Sequence, residues 1–136
     1  RDFCLSRGLG DVYKRQNMAG GNIRFLGHLP NDRLPEIYER HDVFILPSLY
    51  EPWGLVVEEA LFRGLPVIAS DKVGSAADMV TALETGAVFS LAAPDGLSNA
   101  IHEVEENYET MARRVADINW NGRVEAQLKA YTSLLD

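Results

Sequence analysis

Short, continuous apolar runs alternate along this chain with stretches in which apolar residues recur every three or four positions. A run such as VFIL is typical of a strand buried on both faces of a parallel sheet. The longer spacing predicts helices with one buried face. The predicted strands cover residues 23–26, 42–47, 66–70 and 87–91, and the predicted helices cover residues 31–40, 54–63, 76–83, 94–107, 111–116 and 121–135. This order predicts an α/β fold, a Rossmann-like parallel sheet with helices on both faces.

Local signals mark where several of these elements begin and end. Gly27 ends the first predicted strand, and Asn31 or Asp32 is suited to cap the helix that follows. Gly64 comes directly after the predicted helix 54–63, where a left-handed glycine commonly ends a helix. These residues support the predicted boundaries.

The first sixteen residues, RDFCLSRGLGDVYKRQ, do not follow this pattern. They have no clear helical or strand period, and they are net basic whereas the chain as a whole is acidic. The stretch GLGDVYKRQ resembles translated library-linker sequence, and the chain starts with Arg rather than Met. We therefore interpret residues 1–16 as a non-native leader outside the fold and assign the domain to residues 17–136. A native but disordered leader is the alternative.

Composition and charge narrow the class of protein. A chain of 136 residues forms one domain or part of one, and 46% hydrophobic residues is ordinary for a globular protein. The formal net charge of −7 argues against nucleic acid or an anionic membrane as the main partner, since both favour a basic surface. Cys4 is the only cysteine, and no apolar run reaches membrane-spanning length, so we expect a cytoplasmic protein.

Two acids flank the start of the helix in PSLYEPWGLVVEEA. Glu51 lies in the loop after a predicted strand, and Glu59 lies about a turn and a half into the next helix. Between them, Gly54, Leu55 and Val56 supply backbone amides at the helix start, where anions bind because the first amides lack internal partners. The pattern suits a ligand that is anionic in one part and rich in hydroxyls in others, as a sugar nucleotide is.

The stretch NIRFLGHLPNDRLPEIYERHDVFILPSLYEPWGLVVEEALFRGLPVIAS resembles the carboxyl-terminal domain of GT-B retaining glycosyltransferases of family 4, the group 1 glycosyl transferases. The resemblance covers about residues 18–136, and several separate blocks match in order. It implies a parent of two Rossmann-like domains with the donor in the cleft between them. The amino-terminal acceptor domain and the first two strands of the donor domain would then be absent. Those strands would lie between strands 23–26 and 42–47, so their absence would leave open sheet edges.

The resemblance also implies roles for the residues around the helix start. Glu51 becomes the catalytic residue, which accepts hydrogen bonds from the donor sugar and balances positive charge at the anomeric carbon. Glu59 accepts hydrogen bonds from the ribose hydroxyls. Gly54, Leu55 and Val56 donate backbone amides to the distal phosphate and the sugar. For each, the alternative is an ordinary helix start with solvated acids.

Further assignments follow from the same resemblance. The turn of Gly27, His28 and Leu29 lies where the family binds the nucleotide base, and an ordinary strand-to-helix turn is the alternative. Glu58 is assigned to solvent by its spacing. Trp53 is expected to pack in the core.

No cofactor is expected, because the nucleoside-diphosphate sugar is itself the donor substrate. The three histidines have no metal-ligand spacing, and no DxD pair of the metal-dependent sugar transferases is found. The segment VGSAAD at residues 73–78 departs from the GGxPE form frequent at this place in the family. The other partner is an acceptor glycan or lipid-linked glycan, bound through the missing domain, which could also associate peripherally with a membrane.

The resulting hypothesis is a glycosyltransferase whose complete form transfers a sugar from a nucleoside-diphosphate sugar to an acceptor hydroxyl with retention. Polysaccharide or glycolipid synthesis is the expected setting, and the fragment alone is expected to be inactive. A non-catalytic nucleotide-sugar-binding module, another sugar-nucleotide enzyme such as an epimerase, and a structural fragment without a ligand are the alternatives. The last helix, around residues 120–135, crosses towards the missing domain in the family, so its apolar side is expected to be partly uncovered.

Overall fold

A computed structural model describes residues 3–5 and 22–133 of the chain. Four strands form one parallel sheet in the order β1-β2-β3-β4. The strands are β1 (Phe3–Leu5), β2 (Val43–Leu46), β3 (Val67–Ser70) and β4 (Gly86–Phe89). The helices are a 3₁₀ turn (Asn31–Arg33), α1 (Leu34–Glu39), α2 (Leu55–Phe62), a π-helix (Ala76–Thr81), α3 (Gly96–Ala116) and α4 (Trp120–Ser133).

The sheet is covered on both faces, as the continuous apolar runs predict. Along β2, Phe44 and Leu46 pack into one hydrophobic cluster, which also contains residues of α1, α2 and the π-helix. Val43 and Ile45 pack into a second cluster, which contains residues of α3. Because successive side chains of a strand point to opposite faces, a strand covered on both faces is apolar at every position. The predicted α/β architecture is confirmed.

The two helices predicted at 94–107 and 111–116 form one helix, α3. Its buried residues Ala100, Val104, Met111 and Val115 are separated by four, seven and four positions, which keeps them on one face. Neither glycine nor proline interrupts the helix after its first residue, Gly96. The single apolar stripe explains why the helix continues through residues 108–110.

The start of the first helix also differs from the prediction. Pro30 occupies the cap position of the 3₁₀ turn, and no side chain caps it, so the predicted cap by Asn31 or Asp32 is wrong. The 3₁₀ turn runs directly into α1, and Pro35 lies in its first turn, where its missing amide costs nothing. Gly64 follows α2 with φ 90°, which confirms the predicted left-handed glycine.

The predicted strand at residues 23–26 is not formed, and β1 lies beside β2. Cys4 of β1 is in register with Phe44 of β2. The expectation that residues 1–16 contribute nothing to the sheet is therefore wrong for Phe3–Leu5, as is the open edge expected beside β2. A strand requires a hydrogen-bonding neighbour, and the neighbour that the resemblance implies for residues 23–26 is one of the two strands expected to be absent, not β2.

Helix α4 leaves much of its apolar side uncovered, as expected. Trp120 at its start is half-buried and packs edge-on against Phe62 of α2, with ring centroids 5.7 Å apart. Further along, Val124 is 54% exposed and Leu128 is 59% exposed.

Candidate functional site

The loops that follow β2, β3 and β4, residues 47–54, 71–75 and 90–95, lie at the carboxyl ends of the strands, and we call them the carboxyl edge. Backbone hydrogen bonds join the first two loops. The Glu51 amide donates to the Lys72 carbonyl (3.0 Å), the Gly74 amide donates to the Glu51 carbonyl (2.8 Å), and the Ser75 amide donates to the Trp53 carbonyl (2.9 Å). Ligands of open parallel sheets bind outside the carboxyl ends of the strands, so this edge is the candidate site.

Two glycines allow the loops to approach this closely. A Cβ on Gly74 would lie 1.9 Å from the Pro52 carbonyl oxygen. Gly54 has φ 88°, and a Cβ there would lie 3.0 Å from Val73 Cγ1 and 3.1 Å from Glu51 Cγ. Gly54 therefore meets both a conformational and a steric requirement. The sequence singles out Gly54 as part of the site but does not single out Gly74. For Gly74, the signal in the sequence was the GS pair in VGSAAD.

Helix α2 begins at the carboxyl edge with its first amides directed out of the helix. Gly54 is the N-cap, no side chain caps the helix, and the Val57 amide donates to the Gly54 carbonyl (2.9 Å). The amides of Leu55 and Val56 precede the first turn's internal bonds, and the positive end of the helix dipole lies here. The predicted phosphate-binding amides are thus placed at a true helix N-terminus.

The three acids of this region, Glu51, Glu58 and Glu59, lie in different environments. Glu51 is half-buried, with the stem of its side chain against Gly54. Glu58 is half-buried as well and accepts a solvent-exposed hydrogen bond from Trp53 Nε1 (2.8 Å), a partner that its spacing does not predict. Trp53 is 39% exposed and does not fill the core as expected, because this hydrogen bond holds its ring across the first turn of α2.

Glu59 lies on the exposed side of α2. It is four residues after the exposed Leu55 and three before the exposed Phe62, so the three share a helix face. The apolar run around Glu59 faces the core through its neighbours Val57, Ala60 and Leu61 rather than through this face. The carboxylate is therefore available to solvent, and its predicted contact with ribose stays a prediction.

Side chains fasten the remaining part of the carboxyl edge. The Ser70 hydroxyl donates to the Ser48 carbonyl (2.5 Å), which ties the end of β3 to the loop after β2. The Asp71 amide donates to the Phe89 carbonyl (2.8 Å), and the Leu91 amide donates to Asp71 Oδ1 (3.4 Å). A hydrogen bond from the Ser90 side chain is the main cause that lowers the pKa of the Asp71 carboxyl below its usual value. All three loops are thus held together.

The predicted base-binding turn lies in a different environment. Gly27 has φ 69° and is exposed, as is His28. Leu29 lines a groove of about 360 Å³ beside α1, together with Arg24, Phe25, Leu26, Arg33, Glu36, Ile37, Arg40 and His41. Glu36 pairs there with Arg33 (3.2 Å) and Arg40 (2.7 Å). No residue of the carboxyl edge lines this groove, so the structure does not join the turn to the acids through it.

Metal sites and membrane-spanning helices are two further features to consider. Within residues 3–5 and 22–133, no group of three or more His, Cys, Asp or Glu side chains is arranged to hold a metal ion. In the same part of the chain, every helix is too short or too polar to cross a membrane.

Comparison with known proteins gives the class to which this fold and edge belong. A family model described as glycosyl transferases group 1 matches residues 13–118. The chain belongs to this family. The match begins inside the segment predicted to be a leader.

The relatives show how much of such a protein the chain represents. It is 31% identical over 116 residues to a glycogen synthase of Mycobacterium tuberculosis, covering 79% of this chain and 28% of that protein. It is 37% identical over 95 residues to a GDP-mannose-dependent alpha-mannosyltransferase of the same species, covering 66% of this chain and 25% of that protein. Among solved structures, sucrose-phosphate synthase from Thermosynechococcus elongatus matches with a TM-score of 0.64 and 30% identity, covering 91% of this chain and 33% of that one. The chain thus spans about a third or less of these relatives.

Proposed function

We propose that the complete protein transfers a glycosyl unit from a nucleoside-diphosphate sugar to an acceptor hydroxyl, and that this chain forms part of its donor-binding domain. One observation carries the proposal beyond family membership. The uncapped N-terminus of α2 and the side chain of Glu51 meet at Gly54, on an edge whose loops are fastened to each other. An anion-binding helix tip beside a carboxylate suits a diphosphate joined to a sugar.

Each part of the edge has a role on this proposal. The amides of Leu55 and Val56 bind the distal phosphate, which neutralises charge on the leaving diphosphate. Glu51 accepts hydrogen bonds from the sugar hydroxyls and stabilises positive charge as the bond to the diphosphate breaks. Glu59 binds the ribose, and the turn of Gly27, His28 and Leu29 contacts the base.

We also propose that transfer retains the anomeric configuration and requires no metal. The leaving diphosphate then takes the proton from the incoming acceptor hydroxyl on the same face of the sugar. The acceptor is a glycan or lipid-linked glycan bound outside this chain. For that reason the 136-residue chain alone should transfer no sugar, since it spans only 28% of the glycogen synthase that it matches.

Kinetics of the complete enzyme test the role of Glu51. Glu51→Gln keeps the shape of the side chain but removes its charge, so we expect kcat to fall about 100-fold or more. Glu106→Gln makes the same change at an exposed position of α3 and should leave kcat unchanged. Equal activity of the two variants would contradict the assignment of Glu51.

Product analysis separates the remaining alternatives. UDP-glucose, ADP-glucose and GDP-mannose are supplied with a mixture of acceptor glycans, and the linkage formed is read by NMR. Transfer with an unchanged anomer supports the proposal, and an inverted anomer contradicts retention. An epimerised donor indicates a different sugar-nucleotide enzyme, and donor binding without any product indicates a binding module. Absence of heat in calorimetry with all three donors indicates a structural fragment.

A further inference from the structure

Ser75 presents a buried hydroxyl that the fold does not satisfy. The residue is completely buried, and its Oγ has no hydrogen-bond partner among the residues that the structure describes. Ser75 is also the N-cap of the π-helix, but its side chain makes no capping hydrogen bond. A buried hydroxyl without a partner costs free energy, because it loses its hydrogen bonds to water.

The other buried polar side chains of the described region are satisfied. Ser70 is equally buried, and its hydroxyl donates to the Ser48 carbonyl (2.5 Å). Thr85 is equally buried, and its hydroxyl donates to the Met79 carbonyl (2.6 Å). Since Ser70 and Ser75 lie five residues apart on the same edge, the difference between them concerns the position of one hydroxyl rather than the general environment.

The hydroxyl of Ser75 lies beside the start of α2 and the stem of Glu51. Its Oγ is 3.5 Å from the point where a Cβ on Gly54 would be, and Glu51 Cγ is 3.1 Å from that same point. The Ser75 amide donates to the Trp53 carbonyl, and the preceding Gly74 amide donates to the Glu51 carbonyl. Backbone hydrogen bonds therefore hold both Ser75 and Glu51 beside Gly54.

We propose that Ser75 is a positioning residue for Glu51, whose carboxylate accepts a hydrogen bond from the Ser75 hydroxyl when donor is bound. Rotation about the side-chain bonds of Glu51 can bring its carboxylate to this hydroxyl while the backbone stays fixed. A carboxylate only accepts hydrogen bonds, and a hydroxyl can donate one, so the pair is complementary. One carboxylate oxygen is then held by Ser75 and the other is directed at the sugar. This inference rests on the proposed role of Glu51.

Stability in the absence of donor gives the first test, made on the complete enzyme. Ser75→Ala removes only the unpartnered hydroxyl, so we expect an unchanged or higher Tm. Ser70→Ala is the matched control, and it should lower Tm because it leaves the Ser48 carbonyl without its partner. A Tm for Ser75→Ala that falls as far as that of Ser70→Ala would overturn the proposal, since it would show that the hydroxyl is already satisfied in the free fold.

Donor binding gives the second test. Affinity for whichever of UDP-glucose, ADP-glucose and GDP-mannose the wild type uses is measured by calorimetry for wild type, Ser75→Ala, Glu51→Gln and the double variant. We expect Ser75→Ala to weaken binding about tenfold. In the Glu51→Gln background its effect should be clearly smaller, because the neutral amide oxygen of Gln accepts a weaker hydrogen bond from the Ser75 hydroxyl than a carboxylate does. The corresponding nucleoside diphosphate, which lacks the sugar, should bind wild type and Ser75→Ala equally.

The results separate this inference from the proposed function. If the wild type neither binds nor transfers any of the three sugars, the proposed function fails. If the wild type is active and Glu51→Gln impairs it, additive effects of the two substitutions would overturn the Ser75 proposal alone. Weaker binding of the nucleoside diphosphate by Ser75→Ala would also overturn it, because the hydroxyl would then act on the phosphate or through a water instead of through Glu51.

Discussion

The carboxyl edge contains the helix start that the sequence assigns to the ligand, and the segment of residues 22–30 contains the turn of Gly27, His28 and Leu29 assigned to the nucleotide base, but the two regions differ in structure. At the edge, two loops are joined by backbone hydrogen bonds through Glu51, Gly74 leaves no room for a side chain, and Gly54 leaves very little. In the segment, no strand forms, and a Cβ on Gly27 would meet nothing within 4 Å. The helix start at Gly54 is marked locally by its glycine, whereas the strand predicted at residues 23–26 needed a neighbour from elsewhere in the chain.

The largest effect expected from this comparison is that of Gly74→Ala. The new methyl group would overlap the Pro52 carbonyl oxygen, from which it would be only 1.9 Å away. Because that atom belongs to the backbone, the two loops must separate, and we expect a loss of about 3 kcal/mol in the free energy of unfolding. Urea unfolding of the chain measures it. A loss below about 1 kcal/mol would mean that the two loops are not held in this contact.

The same contrast explains how far the sequence could predict the fold. The strands Val43–Leu46 and Val67–Ser70 were predictable because burial on both faces makes every position apolar. The strand Phe3–Leu5 was not, since three residues carry no pattern, and their pairing with β2 is a long-range contact. The helix α3 was divided in two although its apolar stripe continues.

At the candidate site, the sequence predicted where the helix begins better than it predicted which side chains are in contact. The helix start at Gly54 was placed correctly because glycine and the change of period mark it locally. The bond from Trp53 to Glu58 was not predictable, since it depends on the directions of two side chains. The unpartnered hydroxyl of Ser75 was not predictable either, since it depends on contacts with a loop about twenty residues away. The apolar run beside Glu59 does not bury this residue, which the structure places on the exposed face of α2.

Gly27→Ala tests the segment of residues 22–30, and its expected effect on stability is smaller than that of Gly74→Ala. There is space for the methyl group, but φ 69° lies in the left-handed region that non-glycine residues avoid. We expect a loss of about 1 kcal/mol from backbone strain alone, or less if the turn relaxes. The measurement is again urea unfolding, alongside Gly74→Ala. An effect as large as that of Gly74→Ala would show that residues 22–30 are as tightly packed as the carboxyl edge.

The smallest expected effect concerns the charge of the Asp71 carboxylate, which accepts hydrogen bonds from the loop after β4. Hydrogen bonds from the Ser90 side chain and the Leu91 amide hold the pKa of the Asp71 carboxyl below its usual value. A lowered pKa means that the ionised form stabilises the folded state. This contribution is fully present above the unfolded-state pKa and is lost as the pH falls through the folded-state value. Asp71→Asn should therefore lower the urea midpoint slightly at pH 7, and its difference from wild type should disappear towards pH 3.

Ser90→Ala provides the matched control, because it removes the main cause of the lowered pKa while the Asp71 carboxyl remains. In that background the effect of Asp71→Asn at pH 7 should shrink, since the ionised form has lost its strongest hydrogen bond. An effect of Asp71→Asn that is equal at pH 7 and pH 3 would contradict a role for the charge. The start of the loop after β4 would then be positioned by the backbone bond from the Asp71 amide to the Phe89 carbonyl at the end of β4, as the first two loops are held by their backbone bonds.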